Sequence, residues 1–183
     1  MDYYIDIELT PDVEMRKNVL MNKIFAKLHK ALCDLDANDI GVSFPERKVM
    51  LGKMLRLHST EERLKVLQRY DWLGDLLGYC KTGQILPVPG DAQYRVVSRV
   101  QTRMSQSKLK RLVKRGSISE SDIRGYRAKM FTNGLDNPYL ELESSSNGHK
   151  HRRYISFSGL AESRVASEFD KFGLSKTASV PWF

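Results

Sequence analysis

Cysteine is nearly absent. Cys33 and Cys80 are the only two in 183 residues, and no CxxC spacing joins them. This usage excludes a disulfide-stapled secreted scaffold and is expected of buried, reduced thiols in a cytoplasmic protein. No apolar run approaches the roughly 20 residues of a membrane-spanning helix. The opening MDYYIDIELTPD has neither a basic nor an apolar leader region, so no signal peptide and no membrane partner are expected. Histidine is scarce, at four residues. A P-loop, a Gly-rich dinucleotide fingerprint, an internal repeat and low-complexity sequence are all missing. Metal-ligand spacing is poor as well. Asp34, Asp36 and Asp39 sit in DLDAND, where a helix runs into a turn, and acidic turn residues explain them without a metal. His149 and His151 stand two apart on one strand with no cysteine nearby. No metal, no cofactor and no small-molecule substrate is expected.

What the chain has instead is positive charge. The net charge is +8, from 30 Lys and Arg against 22 Asp and Glu, which favours a nucleic-acid partner. It concentrates in RVQTRMSQSKLKRLVKR, Arg99 to Arg115, which holds Arg99, Arg103, Lys108, Lys110, Arg111, Lys114 and Arg115 and no acidic residue. From Ser107 the spacing predicts a short helix whose Leu109, Leu112 and Val113 share one apolar face, with Gly116 as its stop. A one-signed face docked through its own apolar stripe suits a polyphosphate.

The element order predicts an α+β fold. Residues 3 to 9 read as a strand, followed by a helix from Pro11 and Asp12 to about Leu35 with Leu20, Ile24, Leu28, Ala31 and Leu32 inward. Ile40–Glu46 and Lys53–Ser59 read as strands. Ser59 with Glu62 reads as a capping box for a helix through Leu77, and Gln84–Pro89 as a fourth, edge strand. The order βαββαβ is ferredoxin-like. Pro87 to Gln93 marks a boundary, giving a domain over 1–90 and a second over 91–183. The second reads as a strand Tyr94–Gln101, the basic helix, and a helix from a Ser117/Glu120 box to about Met130. The strands YLELE and HRRYISFSG follow, joined through Asn147-Gly148, and then a last strand with Trp182 and Phe183 inward.

Without a metal, RNA can still be cut by its own 2′-OH. That needs a group near neutral pKa, a donor that fixes the hydroxyl, and cations for the phosphorane. Histidine is the obvious proton carrier. His58 inside a strand reads as structural, His149 and His151 lie beside Ser144, Ser145 and Ser146, and His29 sits at the rim of the first helix's apolar stripe. These residues support RNA or DNA binding and leave catalysis open.

MDYYIDIEL, FAKLHKAL, IGVSFPE, VSRVQ with the basic helix, PYLELESSSNGHKHRRYI and FGLSKTASVPWF occur in that order. Together they resemble the CRISPR-associated repeat-processing endoribonuclease of subtype I-F, the Csy-type member of the Cas-six family. The resemblance implies a ferredoxin-like domain and a second domain built around an arginine/lysine-rich helix and a β-hairpin. It also implies metal-independent cleavage at the 3′ base of a CRISPR repeat hairpin, leaving a 5′-OH and a cyclic phosphate. The hairpin product would be retained alongside other subunits of the type I-F interference complex. By position it implies His29 as the catalytic histidine, Ser144 as the residue fixing the 2′-OH and Ser146 as a nearby serine. Arg99 and Gln101 would read bases at the foot of the stem, and Arg111, Lys114 and Arg115 would lie along the groove of the hairpin, while the one-signed charge of the segment adds Arg103, Lys108 and Lys110 as RNA-binding candidates. Two departures stand out. Phe172 replaces a tyrosine and can only pack or stack, and His151 replaces a stacking phenylalanine, which makes it a second candidate for proton transfer. Lysine replaces arginine at several helix positions, Lys114 among them, which keeps charge and loses bidentate contacts. The rival expectation is a hairpin-binding subunit that caps the guide RNA and scaffolds the complex without cutting it.

Overall fold

The computed structural model describes residues 1–100, 106–132, 137–143 and 148–183; at 106, 107, 131 and 132 it describes the backbone alone. Alternating Ile5, Ile7 and Leu9 turn one face of β1 (Tyr3–Leu9) inward, where each is buried. That face meets α1 (Lys17–Asp34), whose Leu20, Met21, Ile24, Phe25, Leu28, Ala31 and Leu32 form a continuous buried stripe. β2 (Gly41–Ser43) pairs with β3 (Met54–Ser59) and β3 with β1, running from Tyr3↔Ser59 to Glu8↔Met54. The free edge of β1 takes β4 (Cys80–Thr82) and β5 (Leu86–Pro87). The sheet order β2-β3-β1-β4, with α1 and α2 (Glu61–Arg69) as crossovers, is the ferredoxin-like arrangement.

A second antiparallel sheet follows, in the order β7-β8-β6-β9. β6 (Gln93–Val100) leads to the basic helix α3 (Gln106–Lys114) and to α4 (Glu120–Thr132). The hairpin strands β7 (Tyr139–Glu143) and β8 (Lys150–Phe157) come next, and β9 (Ser179–Trp182) closes on β6. Val97, Leu140, Leu142, Ile155 and Val180 turn one face of this sheet into the same core as α1 and β2. The approach is close at Gly41, where an added Cβ would lie 2.5 Å from Val180 Cγ1, and at Gly173, in the left-handed region at φ 68°. Among the described residues, no helix is long and apolar enough to cross a membrane.

Several expected boundaries move for physical reasons. The first helix begins at Lys17 rather than Pro11, because the Asp12 carboxylate accepts from the amides of Glu14 and Met15 and holds a turn there. Thr60, not Ser59, caps α2 by accepting from the Arg63 amide, while the Ser59 hydroxyl donates to the Asp39 carbonyl. That helix stops at Arg69 instead of Leu77, where Asp71 and Gly74 turn left-handed (φ 47° and 50°) and lead into a 3-10 helix, Gly74–Tyr79. Of the expected fourth strand, Gln84–Pro89, only Leu86–Pro87 pairs, and β4 at Cys80–Thr82 was not anticipated. Ser119, not Ser117, caps α4 by accepting from the Asp122 amide. The two thiols are not buried: Cys33 is exposed and Cys80 half-buried, its thiol pushed up to about 11 by desolvation. Val113 and Phe183 are also exposed, although Phe183 packs edge-on against Tyr4 at 4.9 Å.

Candidate active site

Helical spacing places His29 one turn after Phe25 and one before Cys33, at the edge of the buried stripe. Phe25 is buried and Cys33 exposed, so the half-buried imidazole sits at the boundary between core and solvent. Its Nδ1–H donates to the carbonyl oxygen of Lys171 at 2.6 Å, which leaves the lone pair on Nε2. The Cys33 sulfur lies 3.7 Å from Nδ1 and 4.0 Å from Nε2. The loop that supplies this carbonyl is itself anchored. The Asp170 carboxylate accepts from the amides of Phe172 and Leu174, and the Lys171 ammonium pairs with Asp36.

That loop carries Phe172 onto the imidazole, with ring centroids 3.6 Å apart and planes 10° from parallel. The Arg153 guanidinium carbon lies 3.5 Å from the same centroid. Two groups that near one centroid cannot share a face, so His29 and Arg153 sandwich the phenyl ring. Arg153 comes from β8, where period-two alternation puts His151, Arg153 and Ile155 on the face shared with Leu140 and Leu142 of β7. His29, His151, Arg153 and Phe172, with Lys30, Cys33 and Glu143 at the margin, line a cleft of ≈ 680 Å³. Arg153 is 6% exposed, and desolvation first, then the charge of Arg99, lowers its pKa to about 10 against a raising effect of Asp170. It remains a cation at neutral pH.

Of the residues the sequence nominated, the structure therefore brings His29, His151 and Phe172 into one cleft. Arg99 lines a neighbouring hollow of ≈ 350 Å³ with Asp170, Ser175 and Lys176. Lys108, Lys110, Arg111 and Lys114 are exposed on α3, and Arg115 follows in the turn, with Leu109 buried beneath them. Gln101, Arg103, Ser144 and Ser146 lie outside the described residues. Arg153 was missed. The signal was a charged residue at an inward position of a hairpin strand, legible once β7 and β8 are set in register. His58 is fully buried, bonded through Nε2 to the Ser43 hydroxyl at 2.8 Å, and burial holds its pKa well below 6.5.

Among the described residues, no three His, Cys, Asp or Glu side chains gather where a metal ion would be held. The three aspartates of DLDAND disperse: Asp34 accepts from the Tyr70 hydroxyl at 2.6 Å, Asp36 pairs with Lys171, and Asp39 pairs with Arg63 at 2.8 Å. The cleft thus offers a tautomer-fixed imidazole and a buried cation on one aromatic ring, with a second imidazole in its lining. That set can move protons and neutralise an anion.

Residues 4–183 match the family described as CRISPR-associated protein (Cas_Csy4). A protein of Escherichia coli (strain UTI89 / UPEC) named CRISPR-associated endonuclease Cas6/Csy4 is 39% identical over the whole of both chains. A protein of the same name from Pseudomonas aeruginosa (strain UCBPP-PA14) is 37% identical, again over the whole of both. Among solved structures, a CRISPR endoribonuclease Cse3 bound to a 19-nucleotide RNA aligns over 99% of this chain and 100% of its own, with 13% identity and a TM-score of 0.36.

Proposed function

We propose, since this chain belongs to the CRISPR-associated Cas_Csy4 family, that it is an endoribonuclease that binds a repeat stem-loop in CRISPR precursor RNA and cuts at the 3′ base of the stem. Cleavage proceeds without metal, by attack of the RNA's own 2′-OH, and leaves a cyclic phosphate and a 5′-OH. The enzyme holds its hairpin product and carries it into the interference complex with the other subunits. The observation that carries this reading is His29, whose bond to the Lys171 carbonyl leaves Nε2 to take or give a proton at the rim of a cleft. Ser144 fixes the 2′-OH, with Ser146 beside it, and His151 stacks on a neighbouring base. Arg99 and Gln101 read the foot of the stem. The one-signed face of α3 grips the phosphates, and Arg103 adds to it. The chain divides functionally into a ferredoxin-like half over 1–90 and an RNA-gripping half over 91–183.

The experiment is direct. Purified protein is incubated in EDTA with repeat RNA, and separately with the same RNA carrying a single 2′-deoxy at the cleavage position. The first RNA is cut and the second is bound intact. Binding without cutting in both tubes would replace this reading with that of a capping subunit. Equal affinity for stem-loops and for unstructured strands would overturn both.

A further inference from the structure

We propose that Arg153 is a further catalytic residue of this cleft: its guanidinium contacts the reacting phosphodiester and neutralises the charge that builds on the non-bridging oxygens. This rests on the endoribonuclease reading and adds a residue and a role to it.

Among the described residues two arginines are buried, Arg56 and Arg153. Arg56 is 8% exposed and partnered at every nitrogen: Nε and Nη2 donate to the two oxygens of Asp6 at 2.6 and 2.9 Å, and Nη1 donates to the Phe183 carbonyl at 3.0 Å. That is how a structural guanidinium is held away from water. Arg153 is buried to the same degree and has none of this. Its Nε is without a partner, and among the described residues no carboxylate pairs with it. Asp170, the acid that acts on it, spends Oδ1 on the amides of Phe172 and Leu174. Arg99 repels Arg153, and Glu143, which lines the same cleft, makes no ion pair with it. What fixes Arg153 is the face of Phe172. A cation kept out of water, oriented by a flat apolar shelf and lacking an anion, lines a cleft beside a histidine. It is complete only when an anion enters.

The geometry also sets the place of that anion. Groups stacked on both faces of one phenyl ring leave an opening at its edge about two van der Waals contacts across, roughly 7 Å. A phosphodiester fits there with an esterified oxygen toward His29 and the non-bridging oxygens toward Arg153. As the 2′-O–P bond forms, the 2′-hydroxyl proton leaves for a base; as the P–O5′ bond breaks, the 5′-oxygen takes a proton. Arg153 exchanges none. It stays charged throughout and is preorganised for the step at which negative charge peaks.

The test uses the full chain with repeat RNA under single turnover. Arg153→Leu is expected to slow cleavage by about 10²- to 10³-fold, the usual cost of removing one such donor, with hairpin Kd within a few-fold of native. Arg153→Lys falls between, since charge remains without the planar stack. Guanidinium ion added to Arg153→Ala restores rate saturably, which a residue that only props up the fold would not allow. Native-rate cutting by Arg153→Leu, or a parallel loss of rate and affinity with no rescue, overturns the proposal. If native protein does not cut the RNA at all, the parent reading fails separately. Arg153 is then decided by its ¹⁵N-labelled Nε–H resonance on addition of inorganic phosphate: a saturable shift supports the anion site and a flat titration removes it. The same titration decides the matter should Arg153→Leu not fold.

Discussion

The imidazole of His29 lies flat on the ring of Phe172, 3.6 Å between centroids, although 142 positions separate His29 from the residue whose carbonyl it also binds, Lys171. One contact fixes the ring's plane and the other its rotation about Cβ–Cγ, so Nε2 points one way. Preorganisation of this kind is what a proton-transfer residue requires. His29→Ala is therefore expected to lower the cleavage rate constant by about 10²- to 10⁴-fold, the range for losing a general acid–base group, while hairpin affinity stays within a few-fold. Rates from single-turnover gels and Kd from filter binding check this. Cleavage that survives would transfer the role to His151.

The exposed cations of α3, standing on a buried Leu109, make affinity an ionic matter. If five to seven phosphates are neutralised, log K against log salt has a slope of about −4 to −6, at roughly 0.7–0.9 per contact. Replacing Lys110 and Lys114 together by Gln should flatten that slope by about 2. An unchanged slope would place the RNA elsewhere on the protein.

Cys33 stands at the margin of the cleft, exposed and 3.7 Å from His29. Cys80 is half-buried, and desolvation holds its thiol near 11, so it ionises little at neutral pH. N-ethylmaleimide at pH 7 is thus expected to label Cys33 first and to block cleavage by bulk. Cys33→Ala, which removes only a weak sulfur contact, should keep most of the activity and resist the reagent. Inactivation of that variant at the native rate would show that the cleft is not where the label acts.

His58 sets a pH dependence of stability. Burial, then the charges of Arg56 and the N-terminal ammonium, hold its pKa well below the ordinary 6.5 in the folded state. An unfolded chain binds the proton at about 6.5. Stability from this group is thus complete above pH 7 and declines as pH falls from there toward the depressed folded value. The urea midpoint should drop between pH 7.5 and 5.5, and His58→Phe should flatten the drop. Equal drops in both proteins would assign the effect to other groups.

Much of the fold was legible because it rests on periodicity. The α1 stripe and the alternation in β1 and β3 need no tertiary information, and βαββαβ follows from them. The misplaced ends are local competitions invisible to a hydrophobic pattern: Asp12 bonding its own loop, Thr60 in place of Ser59, and Asp71 turning left-handed. The site divides in the same way. Spacing alone put His29 at the rim of the apolar stripe, and only the family's motif order singled it out. Arg153 carried no motif, and its meaning depends on Phe172 arriving from the far end of the chain. Cys33, taken for a core residue, sits on the polar side of the helix by one position.

The cleft joins α1 to a loop 142 positions later in the chain, and β9 closes the second sheet only after that loop. A ribosome adds about 5–20 residues per second, so while those 142 residues are made the emerging polypeptide has its histidine in place with nothing stacked against it. Translation thus acts as a delay: a copy stopped short of that loop holds no assembled cleft, and the loop's emergence from the exit tunnel completes it.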